Sequence, residues 1–64
     1  MRIILNGEPR DVTAPTLSAA LSELGYEGQV ATAVNEAFVP AAAREDTRLA
    51  EGDRLEVLAP RQGG

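Results

Sequence analysis

The sequence predicts an α+β fold, a mixed sheet of four to five strands crossed by one helix. Three observations lead there. The chain opens on a β-branched run closed by Asn6-Gly7. That is the strongest short-range hairpin signal, because a type I′ turn needs positive φ at both central positions. Residues 16–24 place Leu17, Ala20, Leu21 and Leu24 at i, i+3, i+4 and i+7, one apolar stripe on a helix. The remaining apolar runs are short, and each is bounded by turn residues or proline, as strands are.

In chain order, the first strand is expected at about 2–6, with Ile3 and Leu5 on one face and Arg2 and Ile4 on the other. The second, at about 8–13, contains Pro9, which cannot donate to a ladder and so belongs on a sheet edge. Thr16 is the helix N-cap and Gly25 its left-handed terminator. V-A-T-A-V gives a third strand near 30–34, and A-F-V a fourth near 37–39 closed by Pro40. Period alone leaves open which of Phe38 and Val39 faces the core. One helical or 3₁₀ turn is expected around 41–46, a turn at 51–53, and a last strand at 54–59 with Leu55 and Val57 inward. A hairpin crossed by a helix, with later strands returning to its side, is the β-grasp arrangement. Its last strand runs parallel beside the first at the centre of the sheet.

Composition narrows the chemistry. The chain has 64 residues, no cysteine and no histidine, so the expected organisation is one small domain over 1–60, stabilised by aliphatic packing, with a tail over 61–64. A net charge of −4 argues against nucleic acid, whose phosphates need clustered cations. No apolar run approaches the ~20 residues of a membrane span, which predicts a cytoplasmic protein with no membrane partner. Catalysis by the chain itself is not expected. It lacks Cys and His for nucleophilic or general-base work, lacks lysine for a Schiff base, and has no Gly-rich phosphate loop. Glu45-Asp46 and Glu51…Asp53 sit in polar connections without apolar flanks to shift a pKa, and read as solvated loops.

The chain ends A-P-R-Q-G-G. Glycine has the most conformational entropy to lose, so a terminal pair adds nothing to a fold and by itself reads as a frayed end. Its position after the last strand, on the spacer Pro60-Arg61-Gln62, gives it another use. A carboxylate at Gly64 can be threaded into another enzyme's nucleotide pocket, in line with the α-phosphate of ATP, where side chains would collide with a narrow channel.

The opening I-I-L-N-G-E-P, the L-S-A-A-L-S-E-L-G helix, the A-V-N…F-V-P segment, E-G-D-R-L-E-V and the final Q-G-G together resemble the small sulfur carriers of thiamine biosynthesis, the ThiS family of ubiquitin-like β-grasp proteins. The likeness spans essentially the whole chain. One departure is Asn35-Glu36-Ala37, where the family usually has Asn-Gly-Glu. Another is Ala41-Ala42-Ala43, where polar or basic residues are common. The resemblance implies that a ThiF-like adenylyltransferase activates Gly64, that a sulfur donor enzyme converts it to a thiocarboxylate, and that a ThiG-like thiazole synthase receives the sulfur. Gly63, Gln62 and Arg61 would position the tail. The protein would be a cosubstrate without a cofactor or metal of its own, and a monomer when free. The alternatives are the small subunit of molybdopterin synthase, a ubiquitin-like modifier, and a plain β-grasp interaction module. The absence of lysine already rules out a lysine-linked polymer of this chain.

A docking surface follows from strand alternation. With Leu55 and Val57 inward, Leu58 faces outward with Ile4 of the neighbouring strand. Ile4, Leu58 and Phe38 are therefore the expected partner-docking residues, grouped near the root of the tail.

Overall fold

Alternation along the central strands decides the architecture. In the computed structural model, which describes residues 1–59, the elements are β1 (Arg2–Leu5), β2 (Glu8–Asp11), α1 (Leu17–Glu23), β3 (Ala31–Val34), β4 (Ala37–Val39), a 3₁₀ segment (Ala41–Asp46) and β5 (Arg54–Leu58). The five strands form one sheet in the order β2-β1-β5-β3-β4. Only β1 and β5 run parallel; the other pairs are antiparallel. Every element expected from the sequence is present, with β2 shorter than predicted. Residues 60–64, and with them the tail boundary at 60/61, lie outside the described residues.

Local chemistry explains the boundaries. Asn6 and Gly7 both have positive φ (48° and 87°), so the β1–β2 connection is the left-handed turn that matches strand twist. Pro9 lies on β2, the outer strand, where its missing N–H leaves no gap in the ladder. Thr16 caps α1, its Oγ1 accepting from Ala19 N at 3.2 Å. Gly25, at φ 89°, ends the helix in the left-handed conformation. Asn35-Glu36 forms a second left-handed turn with φ of 51° and 74°. Glu36 thus occupies a backbone position in which a Cβ crowds the following carbonyl.

One layer of helix covers one face of the sheet. The core joins Ile3 and Leu5 of β1, Leu55 and Val57 of β5, Val39 of β4, and Leu17, Ala20 and Leu21 of α1. Val12, Ala14 and Leu49 complete it from the connections. Val39, and not Phe38, faces inward. The register explains why: Val39 pairs with Thr32, and Thr32 with Val57, which alternation along β5 already points at the helix.

Thr32 is the one buried polar residue among those described. Its Oγ1 donates to Val39 O at 2.8 Å and accepts from Arg44 Nε at 3.1 Å, so both roles of the hydroxyl are filled. Arg44 also donates through Nη2 to Val30 O, tying the 3₁₀ segment to the start of β3. On the helix side, Glu23 accepts from the backbone N–H of Thr13 and Ala14 and from Thr13 Oγ1, all at 3.0–3.1 Å. That carboxylate fixes the β2–α1 connection against the end of the helix.

Candidate functional site

The face of the sheet opposite α1 has no covering layer, and strand register determines what it displays. On β5, Arg54, Glu56 and Leu58 point out. Ala33 lies between Phe38 and Glu56, and Ala31 lies beside Leu58. Phe38 and Leu58 are 70% and 73% exposed, the largest apolar side chains so open on this face. The two alanines between them leave a shallow trough of about 350 Å³, lined by Asn6, Ala31, Ala33, Glu56, Val57 and Leu58. Leu58 is the exposed large apolar side chain at its rim, with the polar Asn6 and Glu56 beside it.

Ile4 does not join this patch. The parallel register places it opposite Arg54, while Pro9 flanks it on the other side. Leu58 lies four residues further along β5, about 13 Å away at the usual rise per residue. Ile4 is also half-buried, whereas the sequence reading had it exposed at the root of the tail. Alternation fixed its face correctly; its position along the neighbouring strand depends on a register that alternation does not encode. The register leaves all three apart on one face: Phe38 stands beside Ala33, Leu58 beside Ala31 two residues further along, and Ile4 opposite Arg54 on the other side of β5.

Charges frame the face. Arg54 Nη1 pairs with Glu36 Oε2 at 3.5 Å, both side chains well exposed. Arg2 pairs with Asp11 across β1 and β2 at 3.1 Å. The hydrogen bond from Arg2, and then its positive charge, hold the Asp11 carboxyl below the usual carboxylate range. The same contact raises the guanidinium of Arg2. Among the described residues, no group of three or more His, Cys, Asp or Glu side chains is placed to hold a metal ion. No helix among them is long and apolar enough to cross a membrane.

Sequence reasoning missed Asn6. Read as a turn residue only, it also uses its side chain: Oδ1 accepts from Val57 N at 2.9 Å and Nδ2 donates to Val57 O at 3.2 Å. No local signal distinguishes a turn asparagine that reaches a distant strand from one that does not. The tail residues Arg61, Gln62, Gly63 and Gly64 lie outside the described residues; β5 leads to them, with Leu58 and Ala59 the last residues described.

Comparison with known proteins agrees with this architecture. A sequence model of the ThiS family matches residues 3–64. The chain is 43% identical over 61 residues to the sulfur carrier protein ThiS of Thermus thermophilus, covering 94% of this chain and 95% of that one. It is 36% identical over 66 residues to a thiazole synthase of Paramagnetospirillum magneticum, covering all of this chain and 20% of that protein. The crystal structure of a thiamine biosynthesis protein (ThiS) from Geobacter metallireducens superposes with a TM-score of 0.84 at 26% identity, over the full length of both chains. Sheet order, helix placement and whole-length similarity converge: the chain belongs to the ThiS family.

Proposed function

We propose that the protein is a sulfur carrier of thiazole synthesis and that Gly64 bears the sulfur. The whole-length likeness to a sulfur carrier protein carries this reading. The likeness of the entire chain to a fifth of a thiazole synthase favours thiazole over molybdopterin as the destination. A Gly64 carboxylate oxygen attacks the α-phosphorus of ATP on a ThiF-like adenylyltransferase and expels pyrophosphate. A sulfide equivalent from a donor enzyme then attacks the acyl carbon and expels AMP, leaving a thiocarboxylate. The domain contributes recognition: Leu58 and Phe38, with the alanine trough between them, dock the partner while Arg61, Gln62 and Gly63 lie in its channel. The protein is on this reading a cosubstrate, with the catalytic groups supplied by the enzymes that bind it.

The test is the intact mass after incubation with ATP, a sulfur source and a ThiF-like enzyme of demonstrated competence on its own carrier. The expected change is the replacement of one oxygen by sulfur, located at Gly64 by fragmentation and lost when Gly64 is deleted. An unchanged mass refutes the carrier assignment.

A further inference from the structure

The parallel β1–β5 ladder is shorter than the strand it supports. Residues 53, 55 and 57 turn their backbone groups toward β1: Ile4 N donates to Asp53 O and Asn6 N to Leu55 O, both at 2.9 Å. The chain then leaves the sheet at the Asn6-Gly7 turn, so β1 offers no further backbone to Val57. The side-chain amide of Asn6 takes its place, accepting from Val57 N and donating to Val57 O, as a peptide group of an added residue would. Val57 is itself anchored in the core, and only Leu58 and Ala59 separate it from the segment that leads to Gly64.

We propose that Asn6 is a positioning residue for delivery of the C-terminal glycine: its amide extends the β1–β5 ladder by one rung and fixes where the tail leaves the sheet. This rests on the carrier reading above. Without that rung, β5 is held past Leu55 only from the β3 side, through the pairing of Thr32 with Val57 and of Ala31 with Leu58. Leu58 at the end of β5, and Ala59 after it, are then held less firmly, and fewer encounters present the carboxylate in line. Orientation of this kind acts on the rate within the bound complex. Asn6 also lines the trough beside Leu58, so its variants are expected to raise KM as well as lower kcat.

Two variants separate the clamp from the turn. Asn6→Gly keeps the left-handed turn and removes both side-chain bonds. Asn6→Asp keeps the acceptor for Val57 N but sets an oxygen against Val57 O. Thr16→Ala, which removes the helix cap, is a control of similar stability loss. Three readouts apply: amide exchange at Val57, intact-mass conversion of Gly64, and adenylation kinetics with a ThiF-like enzyme, all well below the melting temperature. In both Asn6 variants, Val57 exchange is expected to quicken by about tenfold, as for the loss of one to two net hydrogen bonds. The expected adenylation change is a fall in kcat of about three- to tenfold at saturating carrier, whatever the change in KM, and Thr16→Ala at wild-type rates. Wild-type kinetics in both Asn6 variants, a loss confined to KM, or an equal loss in Thr16→Ala each overturns the proposal. Failure of the wild-type protein to acquire sulfur refutes the carrier reading instead.

Discussion

Replacing Glu36 with glycine should stabilise the protein, although it deletes an ion pair. Glu36 sits at φ 74°, where a side chain costs about 1–2 kcal/mol relative to glycine. Against that gain stand two losses. Glycine loosens the unfolded chain by about 0.4–1 kcal/mol. The Glu36–Arg54 contact at 3.5 Å joins side chains 77% and 57% exposed, and an exposed pair of that kind contributes only a few tenths of a kcal/mol, about 0.3. The net expectation is a gain of about 0.5 kcal/mol for Glu36→Gly. Glu36→Ala loses the ion pair and keeps the Cβ, so it should fall slightly below wild type. The difference between the two variants isolates the backbone term at about 1 kcal/mol, which for a domain this small is about 4–8 °C in melting temperature. Thermal denaturation followed by circular dichroism measures it, and 1 M salt removes the ion-pair contribution. If Glu36→Gly melts at or below Glu36→Ala, the left-handed strain is not there and the reasoning fails.

Other consequences are as direct. Leu58→Ala should weaken binding to the activating enzyme by about tenfold, the value of an exposed leucine buried on docking, and leave the melting temperature nearly unchanged. Titration calorimetry against that enzyme, paired with a melting curve, checks both halves. Leu55→Ala, at a fully buried site, should destabilise by about 2–5 kcal/mol and leave much of the chain unfolded. Thr32→Val strands Val39 O and Arg44 Nε without their hydroxyl partner, a loss of about 1–3 kcal/mol measurable by urea unfolding. Asp11 should titrate below a free aspartate in carboxyl NMR. Its depressed pKa means that its share of stability is present above the unfolded aspartate pKa and lost as pH falls through the folded value. Asp11→Asn should remove that acid-side dependence, and an Asp11 midpoint at or above the ordinary value contradicts the Arg2 contact.

Most of the frame was legible because its signals are local. Asn6-Gly7, the Leu17–Leu24 stripe and Gly25 each specify a backbone geometry within a few residues. The alternation of Leu55 and Val57 assigned the faces of β5 without reference to any other strand. Other features depend on pairs remote in sequence. Val39 faces inward because of its partner Thr32, and β4, three residues between a turn and Pro40, is too short to show a period. Ile4 and Leu58 share a face but not a place on it, since only the β1–β5 register says which residues stand side by side. The second use of Asn6 and the pairing of Arg44 with Thr32 are side-chain contacts across the fold, and no spacing announces them.

The edges of the sheet carry a consequence for how such a protein circulates. On one side Pro9 interrupts the outer strand, and on the other β4 is three residues long and stopped by Pro40. Neither margin invites a foreign strand to zip on by backbone hydrogen bonds, the route by which small sheets aggregate or lock onto one another. On the carrier reading proposed above, encounters are left to the open face that carries Leu58 and Phe38, where a contact is made of a few side chains and is easily undone. If the carrier is passed among successive enzymes as proposed, it gains from that arrangement: release is quick, and the same copy is ready for another round.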